Sequence, residues 1–350
     1  MSKSLAEKVL SKPFLDACQR IFDQHNRKAH AKGRQEPRNC SFKTTDERKQ
    51  VILQAFAELH QLDFRLPSPK SLREKHIVAL ANHWAKKGLA ARTLHTRFSM
   101  LRVFAGWIGK AGLVRDIECY FPDSQVIKRS TVATENKSWT AHDIDPLEVI
   151  EKAKGIDGRV ALNLMLQHAF ALRVRESIEI RPEWALHTDG KWLEVFDGTK
   201  GNRSRMVAVD TEDRRQAIRY AQEFAARQGT SGIRGRNRTW KQARRRFYKV
   251  MEKLGITKKD LGVTAHGLRH GGAQGEYRGV TGLPSPIEGG ALGQIDRQTH
   301  RKAGIHVSRM LGHCRSAVTT AYYGSYGHKL RTAKVPKPAS DPKTATDPWE

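Results

Sequence analysis

The sequence predicts a mainly α-helical protein with one small antiparallel β-sheet, divided between two domains. At 350 residues the chain is longer than a single core usually requires. Apolar residues recur at three-and-four spacing over much of the chain, which is typical of one face of an α-helix. Residues 191–209 alternate instead, around a turn that contains glycine, and this pattern indicates a β-hairpin.

The amino-terminal half is predicted to hold one helical domain. Residues 1–44 contain a short helix and then a polar, basic arm interrupted by glycine and proline. The helical domain covers residues 45–115. Residues 116–138 lack sustained periodicity, which indicates a linker. The clearest helix of the domain has an apolar stripe formed by Leu94, Phe98, Leu101, Ala105 and Ile108.

The second domain is predicted to span residues 139–328. Thr140 is expected to begin its first helix, because a threonine side chain can accept hydrogen bonds from amides of the first turn. Residues 329–350 form a tail rich in proline, lysine and threonine, a composition that predicts no packed structure on its own. The side chains expected to share one face of the hairpin are Leu193, Val195, Val207 and Val209.

The charge of the chain favours a polyanionic partner. Lysine and arginine number 63 against 36 aspartates and glutamates, a formal charge of +27. A ribosomal or membrane-surface protein also fits that number. Residues 234–253 hold nine basic residues and one acidic residue beside tryptophan, phenylalanine and tyrosine. Such a helix favours a phosphate-binding surface, which positions nucleic acid without reading its sequence.

Cysteine usage and the absence of long apolar runs predict a cytoplasmic protein without a membrane partner. The four cysteines are scattered, with no spacing typical of a metal site or a disulfide framework. The first twenty residues carry charges throughout and lack the apolar core of a signal peptide. No segment approaches the length needed to span a bilayer.

The motif HGLRH raises the possibility of zinc, since His266 and His270 are spaced to share one helical face. Zinc is not expected. Gly267 stands where a zinc protease has its glutamate, and the guanidinium of Arg269 is an unfavourable neighbour for a dication. The glycines of residues 289–293 lack the dinucleotide-binding pattern as well. The sequence therefore predicts neither a metal nor another cofactor.

The same residues fit metal-free cleavage of a phosphodiester. That reaction needs cationic donors for the nonbridging oxygens, a nucleophile, and an acid for the leaving oxygen. His266 and Arg269 can lie together on one helical turn, and Arg173 or Arg175 offers a second guanidinium. Further candidates are Lys200 on the hairpin, His313, and the phenols of Tyr322 and Tyr323.

In combination and in this order, these residues resemble the signature of the tyrosine recombinase (phage integrase) family. ALRVRE is similar to the first arginine motif and TKGNRSRMVAV to the hairpin with its lysine. HGLRH and LGHCRS are similar to the two histidine motifs, with His270 in a supporting position. The resemblance also implies that Glu176 orients the first arginine. The catalytic set that it implies is Arg173, Lys200, His266, Arg269, His313 and Tyr322.

Two features of the resemblance leave alternatives open. An ungapped spacing of nine residues from His313 gives Tyr322 as the nucleophile, whereas alignment on the two threonines gives Tyr323. The stretch between Arg269 and His313 is longer than usual for the family. Residues 275–305 are expected to be an inserted loop, to change how the tyrosine helix docks, or to contact a partner.

The resemblance implies a site-specific recombinase whose two domains clamp double-stranded DNA. Tyr322 would attack a phosphodiester with His266 as base, leaving a 3′-phosphotyrosyl link, and Lys200 would protonate the departing 5′-oxygen. Arg173 and Arg269 would stabilise the developing charge. A homotetramer on paired sites, integration or excision of a mobile element, and accessory DNA-bending proteins follow as expectations. The alternatives are a type IB topoisomerase and an inactive DNA-binding architectural protein.

Overall fold

The computed structural model describes residues 4–28, 39–290, 293–313 and 315–327. The chain divides into two compact units, Met1–Arg129 and Ser130–Glu350. Most of the predicted basic arm and the whole predicted tail lie outside the described residues. In the described ranges, no helix has both the length and the apolar character needed to cross a membrane.

Unit 1 is a helical bundle with one aromatic-rich core. Phe14 and Phe22, both from the helix at Lys12–His25, are buried in this core, and Phe121 and Ile127 from the carboxyl-terminal end of the unit are buried in it as well. The unit therefore extends to both sides of the predicted domain at 45–115. Its α-helices are α1 (Leu5–Val9), α2 (Lys12–His25), α3 (Phe42–Gln61), α4 (Glu74–Lys86), α5 (Ala91–Trp107) and α6 (Ser124–Ile127).

Unit 2 is also mainly helical, and its described residues form one two-stranded antiparallel sheet, which confirms the predicted fold class. Its helices pack around two neighbouring clusters of buried apolar side chains. Its elements are α7 (Pro146–Ile156), α8 (Gly158–Phe170), α9 (Val174–Glu179), α10 (Pro182–Ala185), β1 (Trp192–Val195), β2 (Arg205–Ala208), α11 (Glu212–Arg227), α12 (Trp240–Lys253), α13 (His266–Thr281), α14 (Arg297–Met310) and α15 (Thr320–Tyr323).

The structure confirms the positions of the two predicted strands and the face that their apolar side chains share. Leu193 pairs with Val207 across the two strands, and Val195 pairs with Arg205. Side chains alternate between the two faces of a strand, so one set of alternate residues turns to the core. Leu193, Val195, Val207 and Val209 are all buried.

The predicted helix start at Thr140 is wrong. Thr140–His142 form only a 3₁₀ turn, and the chain then passes through a left-handed residue, Asp143 at φ 56°. The helix α7 starts at Pro146, a residue whose fixed φ suits the first helical position. The side chain of Asp145 caps it by accepting a hydrogen bond from the Leu147 amide at 2.8 Å.

The long stretch between Arg269 and His313 is largely helical. It completes α13 as far as Thr281 and then forms α14. In the connection between them, the Ser285 hydroxyl donates to the Glu288 carboxylate at 2.7 Å. The expectation of an inserted loop therefore applies only to the short connection, and most of the stretch packs as part of unit 2.

Gly267, in the first turn of α13, allows the helix to approach the segment that begins the second unit. A Cβ at this position would lie 2.5 Å from Trp139 Cδ1 and 2.6 Å from the Lys137 carbonyl oxygen. The indole of Trp139 is buried and donates to the Thr264 carbonyl at 2.9 Å. The close approach therefore fixes the position of the histidine motif against the core.

We predict that Gly267→Ala lowers the free energy of unfolding of unit 2 by roughly 1–3 kcal/mol, because the added methyl group overpacks this contact. Gly275→Ala on the same helix is the matched control, since a Cβ there meets no atom within 4 Å. It should raise stability by up to about 1 kcal/mol. Urea unfolding followed by circular dichroism checks both, and equal stability of the two variants would contradict the prediction.

Candidate active site

Five of the six predicted catalytic residues come together at the ends of four helices of unit 2. Arg173 caps the start of α9, after Ala171 reverses the chain at φ 48°. His266 and Arg269 lie in the first turn of α13. His313 follows the end of α14, and Tyr322 lies on α15. Helix ends suit this task because their backbone groups are free to hold charged side chains.

Glu176 is the electrostatic centre of the site. It is completely buried, and both of its oxygens accept hydrogen bonds from Arg205, at 3.0 and 2.7 Å. Arg173 donates to the same carboxylate from its guanidinium and from its backbone amide. Arg269 Nη1 lies 3.8 Å from Glu176 Oε2. Burial raises the pKa of Glu176, but the hydrogen bond and charge of Arg205, with the charges of Arg173 and Arg269, outweigh burial and lower it to about 2.

The buried guanidinium of Arg269 is held by main-chain oxygens. It donates to the carbonyls of Ala171 and Leu311, each at 2.5 Å. Arg173 Nη2 also donates to the Leu311 carbonyl, at 3.4 Å. Burial, followed by the charges of Arg173 and Arg205, lowers the pKa of Arg269 to about 10, so it stays cationic at neutral pH. Three guanidiniums thus share one carboxylate, which leaves an excess of positive charge for an anion.

Arg205 is the member of this cluster that the sequence prediction missed. It lies on β2, it is buried, and its Nε also donates to the Met310 carbonyl at 2.8 Å. A signal was present, because Arg205 alternates in step with Val207 and Val209, which were predicted to share one apolar face of the hairpin. A charged side chain on the buried face of a strand indicates a buried partner.

Tyr322 is surrounded by the histidines and an arginine. Its hydroxyl oxygen lies 3.3 Å from His266 Nε2, and its ring centroid lies 4.7 Å from that of His270 and 5.5 Å from that of His313. Arg269 Cζ lies 6.0 Å from the ring centroid. The Tyr322 ring therefore lies beside the arginines of the Glu176 cluster, and its hydroxyl lies beside a histidine nitrogen that can take its proton.

Tyr323 occupies a different environment. It is buried, its ring stacks on Tyr277 with centroids 5.0 Å apart, and its hydroxyl lies 3.3 Å from the Thr319 hydroxyl. Burial raises the pKa of Tyr323. Successive residues of a helix point about 100° apart, so only one of the two adjacent phenols can meet His266.

The three histidines are neutral at physiological pH. Desolvation, followed by the charges of Arg269 and Arg173, lowers the pKa of His266 to about 4. The same causes lower the pKa of His313 to about 4. Burial and the neighbouring His266 lower the pKa of His270 to about 3. A neutral imidazole beside a phenol can act as an acceptor for its proton. Over the described ranges, no group of three or more metal-ligating side chains is placed to hold an ion.

Lys200 stands apart from the other five residues. It is exposed on the turn that joins β1 and β2, and it makes no hydrogen bond or ion pair with the described part of the chain. The turn packs closely against the first turn of α9, because a Cβ at Gly198 (φ +72°) would lie 2.8 Å from the Arg175 carbonyl oxygen. The exposed guanidinium of Arg175 lies 5.4 Å from the Trp240 ring centroid and takes no part in the Glu176 cluster.

The helix α12 presents a basic surface, as the charge pattern predicts. Its apolar side, including Phe247 and Val250, is buried in the core. Arg246 pairs with Asp157 at 2.6 Å, and Arg244 lies over the ring of Tyr248 at 5.3 Å. The exposed basic residues of this helix are Lys241, Arg244, Arg245, Arg246, Lys249 and Lys253.

Two family models match the chain in succession. The model described as "Phage integrase, N-terminal" matches residues 27–114, and the model described as "Integrase" matches residues 130–275. Together the two matches cover most of the chain. The second match begins at residue 130, which is also the first residue of unit 2. No curated protein matches this sequence significantly.

Solved structures share the fold. A lambda integrase dimer bound to a COC′ core site matches with a TM-score of 0.55 and 16% identity, over 88% of this chain and 76% of that chain. A lambda integrase tetramer bound to a Holliday junction also gives 0.55 and 16%, over 93% and 82%. The Tn1549 transposon integrase in complex with circular intermediate DNA gives 0.54 and 14%, over 91% and 99%.

The fold and the family matches define a DNA strand transferase of the tyrosine type. The chain belongs to the tyrosine recombinase (phage integrase) family, and it is a site-specific recombinase.

We predict that His270 makes the stability of unit 2 depend on pH. The folded-state pKa is lowered to about 3, whereas the unfolded chain takes up the proton near 6.5. Stability is therefore fully present above about pH 6.5 and falls as the pH is lowered, by about 1.4 kcal/mol per pH unit from this residue. His270→Gln should unfold in urea with a shallower pH dependence than the wild type between pH 6.5 and 5. Parallel curves would contradict the assignment.

Proposed function

We propose that the protein integrates and excises a mobile element by cleaving and rejoining double-stranded DNA through a 3′-phosphotyrosyl intermediate, and that it works in the cytoplasm without a metal or other cofactor. The observation that carries the proposal is the Tyr322 hydroxyl, 3.3 Å from His266 Nε2 and beside the arginines that share Glu176. The lambda integrase and the Tn1549 transposon integrase, which are both named as integrases, share the fold.

Cleavage begins at Tyr322. The hydroxyl oxygen attacks the phosphorus and His266 takes the phenolic proton, so an oxygen–phosphorus bond forms while the bond to the 5′-oxygen breaks. Arg173 and Arg269 donate to the nonbridging oxygens, where negative charge develops. His313 donates a further hydrogen bond to the same oxygens. The cationic groups are already assembled by Glu176 and by main-chain carbonyls, so little reorganisation is needed when DNA arrives.

The substrate itself would prepare His266 for this role. In the free protein, the charges of Arg269 and Arg173 help to lower the pKa of His266 to about 4. An incoming phosphate brings negative charge to the same arginines and offsets their effect on the imidazole. The proton affinity of His266 therefore rises when the scissile phosphate binds, which favours transfer of the phenolic proton at that moment.

Lys200 protonates the departing 5′-oxygen. Its ammonium is exposed on the hairpin turn, so it has to approach the phosphate when DNA is bound. A 5′-hydroxyl of a second strand then attacks the phosphotyrosine, releases Tyr322 and reseals the DNA. Because the phosphotyrosyl bond conserves the energy of the original phosphodiester, no ATP is consumed.

We propose a homotetramer on paired DNA sites as the active assembly, with accessory DNA-bending proteins as possible partners. The lambda integrase fold relative is a tetramer bound to a Holliday junction. The exposed basic face of α12 and the net charge of +27 support a duplex DNA partner. A type IB topoisomerase would relax DNA as a single chain and reseal the same strand. A DNA-binding protein without activity would have no need of a phenol held beside a neutral imidazole.

We predict that Tyr322→Phe forms no covalent adduct with a nicked duplex, whereas Tyr323→Phe still forms one. The nick allows the short strand with the 5′-hydroxyl to diffuse away, which traps the phosphotyrosine. Duplex fragments from the DNA flanking the coding sequence serve as substrates, and gel electrophoresis in SDS detects the adduct. An adduct lost only in Tyr323→Phe would move the nucleophile by one residue. Tight DNA binding by the wild type with no adduct would favour the alternative of an inactive DNA-binding architectural protein.

We predict that Lys200→Ala slows single-turnover cleavage about 10²- to 10⁴-fold, the usual contribution of a general acid. Replacing the bridging 5′-oxygen with sulfur should restore most of the rate, because a thiol with a pKa of about 8.5 leaves without protonation. Arg175→Ala is the matched control, since it removes a neighbouring exposed cation that has no role in this step. A Lys200→Ala defect that sulfur does not rescue would contradict the role.

A further inference from the structure

The stretch between Arg269 and His313 contains a socket for Tyr323. Tyr277 from α13 is buried beneath the Tyr323 ring, with the two rings 26° apart in orientation. His300 from α14 meets the edge of the same ring, with centroids 5.9 Å apart. The hydroxyl of Tyr277 lies 2.8 Å from His300 Nδ1, so the two sides of the socket are joined by a hydrogen bond.

Gly304, on α14, forms the floor of this socket. A Cβ at Gly304 would lie 2.6 Å from the Tyr323 hydroxyl oxygen and 3.7 Å from Cζ, and no other atom is as close. The first distance is a steric overlap, and the second is an ordinary van der Waals contact. The socket therefore accepts the Tyr323 hydroxyl only because residue 304 has no side chain.

The socket places the nucleophile, because Tyr322 and Tyr323 are neighbours on the single turn of α15. A four-residue helix has little stability of its own, so its position depends on what its side chains contact. Gln274 of α13 adds one hydrogen bond to the Tyr322 carbonyl at 3.1 Å. The Tyr322 side chain leaves the helix in a different direction from that of Tyr323, and its hydroxyl lies 3.3 Å from His266 Nε2.

We propose that Tyr277, His300 and Gly304 are positioning residues for the reaction: they seat Tyr323 and thereby hold Tyr322 beside His266 before DNA binds. This inference rests on the proposed function of Tyr322. It gives the long stretch between the two histidine motifs the task of docking the tyrosine helix on its own chain. The three residues touch neither DNA nor the reacting atoms in this role.

The decisive experiment is a pair of substitutions whose effects should cancel. Gly304→Ala fills the space next to the Tyr323 hydroxyl, and we expect the single-turnover cleavage rate on nicked DNA to fall about 10- to 100-fold, because small misplacements of a reacting group have effects of this size. The dissociation constant for DNA should stay within about twofold. Adding Tyr323→Phe removes the overlapping oxygen and should restore the rate to within about threefold of that of Tyr323→Phe alone.

Gly279→Ala is the matched control, because it makes the same change on an exposed part of α13 where a Cβ meets nothing within 4 Å. It should leave the cleavage rate unchanged. An equal loss of rate in Gly279→Ala and Gly304→Ala, or a double variant no faster than Gly304→Ala, would overturn the proposal. A Gly304→Ala variant as fast as the wild type would also overturn it.

A second measurement needs no activity. Hydrogen exchange of the amides of residues 319–324 in the free protein should be faster in Gly304→Ala, and the added Tyr323→Phe should slow it again. Unchanged protection in Gly304→Ala would overturn the socket. If the wild type formed no adduct on any DNA, the proposed function would fail, while the exchange result would still decide whether the socket holds α15.

Discussion

The pairing of one buried carboxylate with three arginines is the interaction on which the rest of the site depends. Glu176 brings Arg173, Arg205 and Arg269 together from the start of α9, from β2 and from α13. Without the carboxylate the guanidiniums would repel one another in a poorly solvated place, and with it they retain an excess of positive charge. Burial, together with that excess of positive charge, lowers the pKa of His266 and of His313, and the same excess leaves a cationic site for a phosphate.

The position of the phenol follows from a second constraint, the docking of a very short helix. Tyr322 and Tyr323 lie side by side in sequence but enter different surroundings, a group of imidazoles in one case and an aromatic socket in the other. The buried phenol has its pKa raised, and it lies among aromatic rings and a threonine hydroxyl. One tyrosine thus holds the helix while the other faces the charges, so the pair divides anchoring from chemistry.

Local patterns predicted much of this arrangement. The alternation of residues 191–209 predicted the hairpin with its buried face, and the order of the motifs predicted the residues that converge at the helix ends. Arg205 was missed because its partner, Glu176, is 29 residues away and pairing across such a distance leaves no local trace. The predicted helix start at Thr140 was wrong because the left-handed Asp143 interrupts the chain after Thr140, and Pro146 begins α7 instead. The socket for Tyr323 depends on helix packing that spacing alone does not define.

The most direct test of the central claim is the crystal structure of the protein with vanadate and gapped site DNA, in which vanadium takes the place of the phosphorus in mid-transfer. The account predicts vanadium bonded to the Tyr322 hydroxyl oxygen, with Arg173, Arg269 and His313 within hydrogen-bonding distance of the equatorial oxygens and Lys200 moved to the 5′-oxygen. Vanadium bonded to Tyr323, or held by residues remote from the Glu176 cluster, would contradict it.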